Sequence, residues 1–483
     1  MKERTIASAF RSGIAWNTLN ALFSQGAGFV IFIILAQALE PAIFGAVALS
    51  ALLADFVAIE GRYAGMDAIL QRGNFDKKAL NGAFLSLSLV AFPIAGLLVF
   101  AGPFVGSFEQ APLVGYYMPV FGIMLIFTPW LCVMDALIMR ELGFKTFAQR
   151  NMLSTVAGGV AGVALAFSHL AIWALPAQRV IATLVVVIFE FSHTRWLPGL
   201  EADGPSKRDI LRRFIPLWLV AALNISMQRA AMLVFGIRFD SATVGLFRAA
   251  DRISESLQNP VISPLFALWF PLMSKVRDNV QAEGEIYTAI IRTSAFVALP
   301  AFAGLAIVAP DLTSSLLPET YAGAGPILRA VAITSLMIPI VWFNPIAMNA
   351  LSMNKLALKY SACVAASCIL ALVAIPTSSA ATAVLVMAGP ALAFGIYGNF
   401  VLLRRLRLAP LTHFLGLMPA IVATAAMAAV TIYLRQTYLG DVSETVRLVV
   451  CAIIGAAVYV AMLMSFCRRW TNERLRLLMG RGS

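Results

Sequence analysis

The chain has 483 residues, of which 60% are apolar and only 12% charged, with a formal net charge of +12. Soluble domains carry roughly a quarter charged residues, so a water-facing surface is excluded, and with it the secreted, disordered and nucleic-acid-binding classes. What remains is an integral membrane protein, in which the positive charge first needs a topological explanation.

A helix needs about 20 apolar residues to cross the hydrocarbon, and the hydropathy pattern predicts fourteen such segments. After the basic start Met1-Lys2-Glu3-Arg4, the apolar run is too long for a signal sequence and predicts a first span over 13–37. The others lie over 44–66, 80–103, 115–138, 150–168, 171–191, 213–236, 244–272, 286–309, 325–350, 357–375, 380–402, 412–434 and 445–466. The longest polar connection, 192–212, is too short for a folded domain, so the activity is expected within the bilayer.

Lysine and arginine mark the loops that stay cytoplasmic. With an even number of spans, one side collects 26 of the 36 basic residues, from Lys2 and Arg4 to the tail Arg468, Arg469, Arg474, Arg476 and Arg481. The other side has only Arg238, Arg435 and Arg447, and seven arginines fall within or at the ends of spans. Both termini are therefore expected in the cytoplasm.

The chain also repeats itself. Glu40-Pro41-Ala42-Ile43-Phe44-Gly45 matches Asp240-Ser241-Ala242-Thr243-Val244-Gly245 at an offset of 200, which sets Asp55 opposite Glu255. Ala91-Phe92-Pro93 through Pro103 matches Ala298-Leu299-Pro300 through Pro310 at an offset of 207. Both matches join helix n to helix n+6, so spans 1–6 and 7–12 are expected to be copies pointing the same way across the membrane. The expected organisation is all-α: an N-terminal lobe over 1–195, a cytoplasmic linker over 196–212, a second six-helix lobe over 213–403, and helices 13 and 14 with a basic tail over 404–483.

Cys132, Cys363, Cys368, Cys451 and Cys467 form no CxxC pair and read as packing residues. His169, His193 and His413 lie at span ends, HExxH and GxxxxGK[ST] are absent, and neither a metal nor a cofactor is expected. Ionisable groups at membrane depth are the better functional signal, because each is costly there. The eighth segment is richest: Arg248, Asp251, Arg252, Glu255, Gln258 and Asn259 recur at three and four residues and share one helix face. The plain alternative is internal pairing, Arg248 with Asp251 or Arg252 with Glu255. Asp55 in span 2, Arg179 in span 6 and Arg229 in span 7 lie near mid-segment; Asp135, Glu190, Arg292 and Arg329 lie nearer ends and read as interfacial anchors. Arginine offers a planar donor fork suited to phosphate, so Arg179, Arg229, Arg248 and Arg252 are the candidates for holding an anionic cargo. Asp55, Asp251 and Glu255 are the candidates for a coupling ion.

Several stretches resemble the oligosaccharide and polysaccharide flippases, the O-antigen and exopolysaccharide exporters of the multidrug/oligosaccharidyl-lipid/polysaccharide superfamily. They are Met66-Asp67-Ala68-Ile69-Leu70-Gln71-Arg72 leading into Leu80-Asn81-Gly82-Ala83-Phe84, Arg140-Glu141-Leu142-Gly143-Phe144-Lys145, Ile172-Trp173-Ala174-Leu175, Val244-Gly245-Leu246-Phe247-Arg248-Ala249 and Phe270-Pro271-Leu272. The resemblance implies two six-helix lobes plus two helices around a central cavity. It also implies an undecaprenyl-diphosphate-linked oligosaccharide as cargo, carried across the bacterial inner membrane, with a polysaccharide polymerase and glycosyltransferases as partners. A cation-coupled multidrug antiporter, a lipid II flippase and a membrane-embedded glycan polymerase or ligase are the competing readings.

Overall fold

The computed structural model describes residues 3–107, 112–199, 201–202, 208–219, 232, 235–236, 238–276, 279–377, 379–440 and 442–466. Among these residues there is helix and no strand. The chain divides into two compact units, Met1–Arg248 and Ala249–Ser483.

The first unit runs through α1 (Glu3–Ala38), α2 (Pro41–Asp55), a π-helical turn (Phe56–Gly61), α3 (Arg62–Arg72), α4 (Lys77–Gly106) and α5 (Pro112–Met124). A 3-10 turn (Leu125–Phe127) leads to α6 (Thr128–Arg140) and α7 (Phe144–Ala166), and another (Ala171–Trp173) to α8 (Ala174–Thr194). After α9, described over 208–219, comes α10 (Ser241–Lys275), which crosses into the second unit. The second unit continues with α11 (Val280–Leu316), α12 (Ala324–Ser335), α13 (Ile338–Val341), α14 (Phe343–Ala350), α15 (Asn354–Ala374), α16 (Ala380–Arg405), α17 (Pro410–Leu415), α18 (Met418–Thr437) and α19 (Glu444–Phe466).

Among the described residues nine helices are long and apolar enough to cross a membrane, or eleven if the bent pairs α2–α3 and α12–α14 each count as one span. Two more expected positions are filled by α7 and by α10, whose polar stripe dilutes its hydropathy. The seventh expected segment, 213–236, lies mostly outside the described residues, so the expected fourteen spans are not all on view.

The two units repeat one plan. Helices α4 and α11 each carry two internal prolines, Pro93 and Pro103 against Pro300 and Pro310. The next span is broken in both, restarting at Thr128-Pro129 and at Ile338-Pro339, where a proline in the first turn has no intrahelical hydrogen bond to lose. The four non-glycine residues with positive φ among the described residues also fall into two pairs: Leu142 (57°) with Ser352 (61°), and Arg195 (47°) with Arg407 (53°). Such residues are uncommon, and here each ends an equivalent helix. At Leu142 the next amide, Gly143 N–H, donates to Ile138 O (3.1 Å); at Ser352 the next amide, Met353 N–H, donates to Met348 O (2.8 Å). This is the same left-handed cap built twice.

The short matched segments found at an offset of 200 meet in space. The first turns of α2 and α10 approach so closely that a Cβ on Gly45 would lie 1.8 Å from Ser241 O, and one on Gly245 would lie 1.8 Å from Pro41 O. Glycine is needed at both positions for backbone to touch backbone.

Helices α18 and α19 pack on α11. Asp311, buried inside α11, accepts from Arg435 Nε (3.0 Å) and Nη2 (3.2 Å) on α18 and from Arg447 Nε (2.9 Å) on α19. The last two spans are therefore latched to the second unit. Hydrogen bonds to charged groups contribute about 1.5–3 kcal/mol each at a buried site. Asp311→Ala is expected to free both helices, read as faster proteolysis in the 438–443 connection and a lower melting temperature in detergent.

Candidate functional site

Helix 2 of the first unit is interrupted where its charges lie. Asp55 is the last residue of α2 and Arg62 the first of α3, with the wide π turn Phe56–Gly61 between them. Wide turns of this kind insert a residue and re-aim the helix beyond it, and they recur at functional positions. Both charged residues reach α8, but to different partners. Asp55 Oδ1 accepts from Arg179 Nη1 at 2.9 Å, and the Arg179 guanidinium lies 5.4 Å from the centre of the Phe121 ring. Arg62 Nη2 donates to Glu190 Oε1 at 2.7 Å, three turns further along α8, roughly 16 Å away by helix rise.

The two layers differ in access. In the outer pair 41% of the Arg179 side chain is accessible against 8% for Asp55, so the cation is presented and the acid is tucked behind it. Arg179 stands about 12 Å in from the end of its span at Ala171. The inner layer is mostly buried, with only the Arg62 side chain partly accessible, at 16%. Arg62 Nε bonds Asp135 Oδ2 and its Nη2 donates to Asp135 Oδ1 (2.9 Å); Arg150 Nη1 donates to Asp135 Oδ1 (2.6 Å) and also bonds Glu190 Oε1. Asp135 and Glu190 are fully buried and Arg150 nearly so. Two guanidiniums thus neutralise two carboxylates drawn from α3, α6, α7 and α8.

Hydropathy alone misplaces this cluster. Asp135 and Glu190 are core residues and not interfacial anchors, and Arg150 belongs with them and not with the solvated basic loops. The available signal was numerical: two acids in apolar segments require two cations, and Arg62 and Arg150 are there to supply them.

The residues of the α10 stripe do not share one degree of burial: Gln258 is buried and Asn259 exposed. Ala249, Ala250, Ile253 and Ser254 form the buried side, while Arg248, Asp251, Arg252 and Glu255 are only partly buried. Arg252 Nη1 lies 3.6 Å from Glu255 Oε2 one turn on, so part of the stripe is paired internally. Asp55 and Arg179, expected as an acid and a cation acting separately, are brought together as one pair. Arg229 lies outside the described residues.

The model of a family described as polysaccharide biosynthesis protein matches residues 34–326, well over half of the chain. The succinoglycan biosynthesis transport protein ExoT of Rhizobium meliloti is 23% identical over 341 residues, 70% of this chain and 69% of that protein. The teichuronic acid biosynthesis protein TuaB of Bacillus subtilis is 20% identical over 430 residues, 85% of this chain and 86% of that protein. Among solved structures, the lipid II flippase MurJ in an inward closed conformation matches with a TM-score of 0.77 at 16% identity, covering 95% of this chain and 100% of that one. An inward-facing multidrug resistance MATE transporter matches with a TM-score of 0.63 at 15% identity, covering 79% of this chain and 94% of that one. The chain belongs to the polysaccharide biosynthesis protein family, as a multi-pass membrane protein with the all-α fold of the MurJ and MATE structures.

Proposed function

We propose that the chain is a flippase that moves undecaprenyl-diphosphate-linked sugar repeat units from the cytoplasmic to the periplasmic leaflet of a bacterial inner membrane, by alternating access between lobes over 1–195 and 213–403. The termini lie in the cytoplasm, and a polysaccharide polymerase and glycosyltransferases act on the same lipid-linked intermediates. The hydrated headgroup is the obstacle, since two phosphates and a sugar chain cannot enter hydrocarbon without replacement of their water.

The observation that carries the reading is the Asp55–Arg179 pair. One guanidinium nitrogen holds the carboxylate, and the remaining donors of an accessible fork at membrane depth suit a phosphate. Arg229, Arg248 and Arg252 are the further candidates for holding the cargo's phosphates. Asp55, Asp251 and Glu255 act as the resting counter-ions that an arriving diphosphate displaces, and each becomes an acid open to a cation while cargo is bound. A drug antiporter of the same fold would present its acids and bury its arginines; at this pair the order is the reverse.

Arg179→Ala is expected to lower flipping of a fluorescent undecaprenyl-diphosphate oligosaccharide in proteoliposomes about 10- to 100-fold, the equivalent of one or two charge-assisted hydrogen bonds. Arg179→Lys, which keeps the charge and loses the fork, should fall between. Unchanged flipping by Arg179→Ala at equal protein content overturns the reading, and export of a cationic dye by the wild type would replace it with the antiporter.

A further inference from the structure

The buried four-charge cluster of the first unit has a counterpart without charge. Asp135, Arg150 and Glu190 stand on α6, α7 and α8; Asn344, Tyr360 and Asn399 stand 209, 210 and 209 residues further on, on the corresponding helices α14, α15 and α16. The second set is also bonded together: Asn399 Nδ2 donates to Asn344 Oδ1 (3.1 Å), Asn344 Nδ2 to Tyr360 Oη (3.2 Å), and Tyr287 Oη to Asn399 Oδ1 (2.9 Å). Trp269, on the counterpart of helix 2, stacks on Phe343 beside Asn344, as Arg62 meets Asp135. One plan therefore holds a largely buried polar node twice, once with four charges and once with amides and phenols.

That comparison weakens the purely structural explanation for the charges. Desolvating two ion pairs is expensive, and neutral side chains of similar bulk often pack as well or better. The second unit shows this helix arrangement accepting them. Within the charged node one atom stands out. Glu190 Oε1 is shared by both arginines, while Oε2 has no donor among the described residues although Glu190 is fully buried. An ionised carboxylate with one oxygen unserved is costly in such surroundings, while neutralising it leaves Arg62 and Arg150 facing Asp135 alone, so the node opposes both states and a proton can exchange between them. A hard metal cation would need several oxygens and would face two guanidiniums here. A proton needs one oxygen.

The geometry points to Glu190 as a proton-binding site of this carrier, with the proton on Oε2. Facing it are Arg62 on α3, Asp135 and Cys132 on α6, and Arg150 on α7; along α8 the next charged layer is Arg179 with Asp55. Loading the proton removes one of the two charges that hold the arginines, so α3 and α7 are tied less firmly to α8, and unloading restores the tie. Acidification thus favours the loosened arrangement. That this exchange drives transport rests on the flippase reading above.

Infrared difference titration of the purified full-length protein tests the site without any cargo. The wild-type-minus-Glu190→Gln difference is expected to show one carboxylic-acid C=O band that appears on acidification, absent from the Glu190→Gln spectrum and retained with a shifted midpoint in Glu190→Asp. A wild type with no such band, or a band unchanged in Glu190→Gln, overturns the proposal. Should Glu190→Gln not fold, the joint variant R62Q/D135N/R150Y/E190N, which takes the neutral node's side chains at 135, 150 and 190 and an uncharged amide at 62, replaces it, and persistence of the band there is equally fatal. In proteoliposomes, flipping should respond to an imposed pH gradient in the wild type and lose that response in the joint variant. A wild type that titrates and flips without regard to the gradient overturns the coupling alone, and one that titrates but never flips the oligosaccharide lipid overturns the flippase reading alone.

Discussion

Asp135→Ala is expected to cost about 3–5 kcal/mol, the range for breaking a buried ion pair by removing one partner. Asp135 bonds both arginines, so its loss leaves two guanidiniums facing one Glu190 in a largely buried space. Membrane-fraction yield and the melting temperature in detergent are the readouts, and both should fall sharply. The effect belongs to the unmatched charge and not to the lost contacts, which a second variant demonstrates. R62Q/D135N/R150Y/E190N removes all four charges together and should recover most of the stability lost by the single change, because Asn344, Tyr360 and Asn399 already fill the corresponding positions in the second unit. A joint variant as unstable as Asp135→Ala would show that the ionic cluster is required for folding.

The same residues show what a sequence yields and what it withholds. The membrane class, most span positions and the repeat were legible, because they rest on features that need no partner: mean composition, apolar run length, and the proline pairs Pro93/Pro300 and Pro103/Pro310 in register. The matched segments at 40–45 and 240–245 were legible as a likeness, but their direct contact was not, since nothing local in a sequence says that two copies touch. The periodicity on α10 placed Arg252 and Glu255 on one face and offered their pairing as an alternative, because both belong to a single helix. The buried cluster was hidden for the converse reason. Asp135, Arg150 and Glu190 each lie near the end of an apolar segment and look interfacial one at a time; only the meeting of α3, α6, α7 and α8 makes them a neutral set. Likewise Asp55 and Arg179 are 124 residues apart, and depth in the membrane could nominate both without showing that they bond.

The paired glycines make the sharpest conformational prediction. With Gly45 and Gly245 each fitted against a carbonyl of the opposite helix, an added Cβ at 1.8 Å lies far inside contact distance, and its neighbour is backbone, which cannot rotate away as a side chain would. Gly245→Val, larger again and β-branched, must hold the first turns of α2 and α10 apart. If alternating access requires these turns to meet in one state and separate in another, the substitution removes the first state while leaving each helix intact, since both turns lie at helix starts where valine costs little propensity. Spin labels at Glu40 and Ala242, in a cysteine-free background, should report a short distance in the parent protein and a longer one with Gly245→Val. Flipping should fall at least tenfold, with protein content unchanged. Gly45→Ala, the smaller wedge on the other helix, should give a mixture of the two distances and a partial loss. Unaltered distances with full flipping would mean that the contact yields without consequence, and that closure of the pathway depends on some other pair of helices.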